Sequence, residues 1–107
     1  AIGNAVAYSN IKYKEEITLN QLCVISGYSH QQFCSLFKAQ MGMRPMEYIA
    51  RRRIAQSKTL LADSELTISQ IGSDVGYPEP TYFGMVFRKY EGISPSEYRK
   101  RRNSLEI

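Results

Sequence analysis

The chain has 107 residues, with 14 Lys and Arg against 10 Asp and Glu. That length suits one compact domain rather than two large ones, and a basic excess this modest points to nucleic acid only in company with a binding motif. No run of 18 apolar residues occurs and AIGNAVAYSN lacks a basic n-region with a long apolar core, so neither a membrane span nor a signal peptide is expected.

Taken in order, the chain reads as seven helices. Helix 1 is expected over about Asn4–Lys14, with Val6, Tyr8 (or Ala7) and Ile11 as packing candidates. Thr18 with Gln21 makes a capping box before helix 2, about Leu19–Ser26, and Gly27 follows it. Ser29 with Gln32 caps helix 3, about His30–Gln40. Helix 4 runs from Pro45 or Met46 to about Ala62, with Ile49, Ala50, Ile54, Ser57, Leu60 and Leu61 inward, and Asp63-Ser64-Glu65 is a polar break. Thr67 with Gln70 caps helix 5, on which Ile68, Ile71 and Val75 share a face, and Gly76 stops it. Pro78-Glu79-Pro80 restarts the chain, because proline suits a first helical turn. Helix 6 carries Phe83, Val86, Phe87 and Tyr90 on one face and ends at Gly92. Ser94, Pro95 and Glu97 occupy N-cap, N1 and N3 of helix 7, which should end near Arg102 and leave 103–107 as a frayed tail. No strand pattern occurs, so the fold class is all-α.

Two stretches of this chain are copies of one unit. Leu19, Leu22, Gly27 and Tyr28 match Ile68, Ile71, Gly76 and Tyr77 at an offset of 49. Phe33, Phe37, Gly42, Pro45 and Tyr48 match Phe83, Phe87, Gly92, Pro95 and Tyr98 at an offset of 50, so the second copy has one extra residue at its turn. Each copy is a helix, a tight turn holding glycine and a second helix with one apolar face, which is the helix-turn-helix pattern. The units span about 18–42 and 67–92, joined by a linker helix over about 45–62. Each should pack its own small core.

A recognition helix is amphipathic, so its binding face is what is left after the core face is assigned. In helix 3 the core side is Phe33, Leu36, Phe37 and Gln40, which leaves Gln31, Cys34, Ser35 and Lys38. In helix 6 the core side leaves Thr81, Gly84, Met85 and Arg88. Both sets have the spacing i, i+3, i+4, i+7, a single stripe of a width that fits a major groove. Gln31, Cys34, Ser35, Thr81, Gly84 and Met85 are the base-contact candidates. Gln31 can pair with adenine through its whole amide, Ser35 and Thr81 can hydrogen-bond several bases, and Thr81 or Met85 can touch a thymine methyl. Lys38 and Arg88, later in their helices, suit phosphate, as do Ser29, His30 and Arg53. Arg51-Arg52-Arg53 spreads over 200° of helix and cannot all face DNA; Glu47 is an i, i+4 partner for Arg51. Arg99-Lys100-Arg101-Arg102 serves either the helix dipole or the DNA backbone.

Enzyme chemistry has little behind it. There is no glycine-rich phosphate loop and no plausible nucleophile–base pair. One His and two Cys cannot supply a four-ligand zinc site, so no metal and no cofactor is expected. Cys23 stands where the second copy has Gly72 and should be a small buried residue.

The run GYPEPTYFGMVFRKYEGISPSEYRK, with Arg53-Ile54 and Leu60-Leu61 before it and a degenerate copy further upstream, resembles the DNA-binding domain of the AraC/XylS family of bacterial transcription regulators. The resemblance extends over about Tyr8 to Arg102. It implies two helix-turn-helix units on a linker helix, each offering one recognition helix to double-stranded DNA, in a cytoplasmic regulator. It also implies an N-terminal effector or dimerisation domain in the full-length protein, with RNA polymerase as a further partner and no membrane. The absence of an initiating Met suits a processed chain or a fragment of a longer one. Three positions depart from the family pattern. Ser35 and Met85 stand where arginine is common, and Arg44 replaces the small hydroxyl residue usual before Pro45. A protein-interaction module that kept the fold but lost base reading is the alternative.

Overall fold

The computed structural model describes residues 2–105, and among them it holds seven α-helices and no strand. They are α1 (Ile2–Lys12), α2 (Leu19–Ser26), α3 (His30–Met41), α4 (Pro45–Asp63), α5 (Ile68–Asp74), α6 (Pro80–Glu91) and α7 (Pro95–Leu105). The chain divides into two compact units, Ala1–Arg52 and Arg53–Ile107, with α4 running across the division.

In the first unit, short-range chemistry sets the helix ends. Thr18 Oγ1 accepts from Gln21 N at 3.2 Å while Gln21 Oε1 accepts from Thr18 N at 2.8 Å, so two free helix donors are satisfied reciprocally. Ser29 and Gln32 repeat the box at the start of α3. Gly27 ends α2 at φ 78, a left-handed conformation that any Cβ would strain. The turn delivers Phe33 and Phe37 into a core with Leu22, Cys23 and Ile49. Their rings lie 5.6 Å apart, and Tyr48 meets Phe37 edge-on at 5.8 Å.

The second unit repeats this arrangement. Thr67 and Gln70 form the capping box, with bonds of 2.8 and 3.1 Å. Helix α5 ends at Asp74 rather than at the glycine; Val75 is its C-cap, and Gly76 then turns the chain at φ 107. Glu79 is the N-cap of α6, its carboxylate accepting from Tyr82 N at 2.6 Å, with Pro80 at N1. Phe83 and Phe87 are fully buried with Ile54, Leu61, Ile71 and Val75, and Tyr98 meets Phe87 edge-on at 5.7 Å. Ser94 Oγ accepts from Glu97 N at 3.1 Å at the start of α7. Arg44, in the matching place before α4, carries donors only and cannot do the same.

Three expectations need correction. Of the packing candidates on α1, Val6 and Tyr8 do pack, partly buried, against the first core, but Ala7 is exposed and Ile11 is 74% exposed, and the fully buried residues are Ile2, Ala5 and Ser9. Small residues let α1 pack closely, and Ser9 Oγ satisfies itself on Ala5 O at 2.8 Å. Gln40 does not join the core side of α3 but is exposed. Helix α7 continues to Leu105 rather than stopping near Arg102, which leaves 106 and 107 of the expected tail outside the described residues.

Helix α4 serves both units. Its early residue Ile49 lies in the first core, while Ile54 and Leu61 lie in the second. The buried triplet Ile54, Ser57, Leu61 has the same i, i+3, i+7 spacing as Ile2, Ala5, Ser9. The second half of α4 thus does for its unit what α1 does for the first. Arg99 closes the end of α4, donating from Nε to Leu61 O at 3.1 Å and from Nη2 to Ser64 O at 3.3 Å.

Candidate nucleic-acid interface

Burial of the two phenylalanines fixes the rotation of each recognition helix. On α3, Phe33 and Phe37 are fully buried and Gln31, Ser35 and Lys38 are exposed. Cys34 is half-buried and packs against the core, so only part of it is left for a ligand. On α6, Phe83 and Phe87 are fully buried, Thr81, Met85 and Arg88 are exposed, and Gly84 is half-buried. The exposed stripes therefore lie on the sides expected, and Met85 is 64% exposed despite its apolar character.

The phosphate candidates separate. Lys38 and Arg88 stand on the stripes. The hydroxyl of Ser29 is engaged in the α3 cap. His30 Nε2 lies 3.3 Å from Asn20 Oδ1, which ties the start of α3 to α2. Arg53 is partly buried, with its guanidinium 4.9 Å over the Tyr77 ring. Of its neighbours, Arg52 lies 4.6 Å over Tyr13 and Arg51 pairs with Glu47 at 2.8 Å, the i, i+4 partner expected. Each arginine of the block thus has a protein group to meet. In the C-terminal block Arg99 caps α4 and Arg101 pairs with Glu97 at 3.2 Å, while Lys100 and Arg102 are exposed.

Two features escape a sequence reading. A concavity of about 570 Å³ beside α3 is lined by Leu19, Cys34, Ser35, Lys38, Arg44, Pro45 and Met46, so Arg44 and Lys38 border the same hollow. Tyr82 is 54% exposed on the flank of the α6 stripe, its ring meeting Tyr77 edge-on at 5.7 Å. The signal for it in the sequence is its place off the Phe83, Val86, Phe87, Tyr90 face of α6.

The electrostatics of the buried groups follow from desolvation. Burial pushes the Cys23 thiol up, and the nearby Cys34 adds to it. Burial also raises the Tyr77 hydroxyl, against the opposing pull of Arg53. Among the described residues no three His, Cys, Asp or Glu side chains converge as a metal site would need, and no helix is long and apolar enough to cross a membrane.

The family model described as a helix-turn-helix domain matches residues 22–101. The chain belongs to the AraC/XylS family of DNA-binding domains. It is 38% identical over 97 residues to the uncharacterised HTH-type transcriptional regulator YisR of Bacillus subtilis, matching 90% of this chain and 33% of that protein. The C-terminal domain of AraT, a response regulator from Geobacillus stearothermophilus, superposes with TM-score 0.89 at 26% identity, with 94% of this chain and 84% of that one covered. The DNA-binding domain of AdpA, a global transcriptional factor solved in complex with a target DNA, shares the fold with TM-score 0.91 at 22% identity, over 96% of this chain and 93% of that one. The chain spans about a third of the length of the curated relatives it matches.

Proposed function

We propose that this chain is the DNA-reading part of a bacterial transcription regulator, in which α3 and α6 each enter a major-groove segment. One observation carries the reading: two helices, each following a tight turn, are pinned by a fully buried Phe pair and present a stripe at i, i+3, i+4, i+7 that is exposed at i, i+4 and i+7 and half-buried at i+3. Such a stripe matches the groove in width and offers polar and basic groups to it. The bases fall to Gln31, Cys34, Ser35, Thr81, Gly84 and Met85. Phosphates fall to Lys38, Arg88, Ser29 and His30, with Arg44 joining Lys38; Arg53 has the weakest claim, since its guanidinium faces Tyr77.

The stripes differ in chemistry, so one copy should read two unlike segments about one helical turn, roughly 34 Å, apart. YisR and AraT are named as regulators, and their likeness supports this role. An effector or dimerisation domain upstream, RNA polymerase as a partner and a cytoplasmic setting complete the proposal. With no nucleophile–base pair in its sequence, the chain acts by binding rather than by catalysis. Footprinting after selection from random duplexes tests it. Protection over two adjacent groove segments is expected; protection of only a few base pairs would mean that one unit engages alone. An absence of any preferred duplex would point to a protein-interaction module instead.

A further inference from the structure

The surface of α6 is unusually apolar for a helix that faces a polyanion. Tyr82 and Met85 are 54% and 64% exposed, and they are neighbours at i, i+3 on the same helix. The matching positions of α3, 50 residues earlier, hold Gln32 and Ser35, both polar. The same scaffold therefore carries hydrogen-bonding groups in one unit and an apolar pair in the other.

The tyrosine of the pair is also held in place. The Tyr82 backbone N–H donates to the Glu79 carboxylate at 2.6 Å, and its ring lies at 69° to that of the buried Tyr77. Arg53 in turn lies over the Tyr77 ring, 4.9 Å from its centroid. Beside Met85 is Gly84, where an added Cβ would meet nothing within 4 Å. A bare backbone next to a methionine and a fixed aromatic ring makes a shallow apolar step.

Among the base positions of this stripe only the Thr81 hydroxyl can hydrogen-bond, and Arg88 stands a turn further on. The one apolar group that B-DNA displays in the major groove is the C5-methyl of thymine. We propose that α6 selects thymine by contact between its C5-methyl and Met85, with Tyr82 as the wall that fixes Met85 in register. This rests on the DNA-reading function above and names the group that the second unit reads.

The test uses the 107-residue chain and a duplex selected from random sequence. Each thymine of that duplex is replaced in turn by deoxyuridine, which removes the methyl and keeps every hydrogen-bonding group. At one or two positions the affinity should fall about fourfold, the equivalent of one buried methyl. In Met85→Gln, and in Tyr82→Ser as a second variant, that loss should vanish at the same positions. Sensitivity below twofold at every thymine, in a chain that still prefers the selected duplex to a scrambled one, would overturn the inference and leave the DNA-reading function standing. Unchanged losses in Met85→Gln would overturn it as well. A dimer seen by sedimentation that Met85→Gln abolishes, with thymine discrimination intact, would assign the patch to a second copy of the chain. If no duplex is enriched at all, both readings fall together.

Discussion

Two helical glycines in the second unit make opposite predictions for the same substitution. Gly84→Ala adds a Cβ that meets nothing within 4 Å, so the only internal effect is on helix propensity. Alanine is favoured over glycine in a helix interior by about 0.8–1.0 kcal/mol. In a domain of this size about 1 kcal/mol moves the melting temperature by about 4–8 °C, so Gly84→Ala should melt higher by roughly that much. Gly72→Ala gains the same propensity but places its Cβ 2.8 Å from Phe83 Cδ2, 3.0 Å from Cγ and 3.1 Å from Tyr77 O. Phe83 is fully buried and packs against Phe87, so it cannot swing away. Overpacking of this kind costs about 1–3 kcal/mol, which outweighs the propensity gain, and Gly72→Ala should melt lower by up to about 2 kcal/mol. The assay is calorimetry on both variants, followed by DNA titration of Gly84→Ala. The fold does not need glycine at position 84. If the glycine serves close approach of backbone to a base, Gly84→Ala binds more weakly while melting higher. Lower melting of Gly84→Ala would refute the packing argument; higher melting with parental affinity would refute the approach to DNA.

The remaining predictions concern stability, charge and pH. Phe87→Ala should cost about 3–5 kcal/mol and unfold the second unit, whereas Met85→Arg, about 160° away on the same helix, should melt like the parent and shift a binding-site selection toward guanine. Equal melting of the two would show Met85 to be buried. Log K for the preferred duplex should fall linearly with log salt, and Lys38→Ala should reduce the slope by about 1; an affinity flat from low to physiological salt would contradict the role of the basic residues. Cys23 and Tyr77 hold their protons more tightly in the folded chain than in the unfolded one, because burial raises both. The unfolded chain therefore binds fewer protons as pH rises past about 8.5, the ordinary thiol value, and stability should decline from there upward. Urea titrations between pH 7 and 10 check the sign, and a midpoint that rises over that range would show it to be wrong. At neutral pH, iodoacetamide should label the half-exposed Cys34 before Cys23.

Most of the second unit could be read from the chain because its determinants are local. A capping box, a proline at N1 and a Phe pair one turn apart each act within a few residues. The same holds for Arg51 and Glu47, which meet because i, i+4 neighbours on a helix must. What could not be read depends on groups far apart in sequence. Helix α1 packs Val6 and Tyr8 as its sequence suggests but buries Ile2, Ala5 and Ser9 and leaves Ile11 in solvent, because the face that turns inward is set by the rest of the core. Arg99 reads as a dipole or phosphate group, and in the fold it reaches 38 residues back to the end of α4. Tyr82 lies off the apolar stripe of α6, and the Tyr77 ring it meets edge-on comes from the other side of the turn.

The duplication also explains why the two units need not read alike. The extra residue of the second copy falls between Tyr77 and the N-cap, where Pro78 stands and Tyr28 is followed directly by Ser29. Its effect is to lengthen the turn before α6, and Tyr77 is buried where its counterpart Tyr28 is only partly so. A buried Tyr77 needs room beside Phe83, and Gly72 supplies it where the first unit fits Cys23. The buried tyrosine in turn gives Tyr82 a ring to lean on, which α3 lacks, since Gln32 at that position is committed to its cap. One inserted residue in a turn is thus coupled through Tyr77 to an aromatic wall on the reading face. The aromatic wall of α6 is thus tied to how its turn is built: the first copy, with a turn one residue shorter, has Cys23 and Gln32 at the places of Gly72 and Tyr82 and keeps the matching Tyr28 only partly buried.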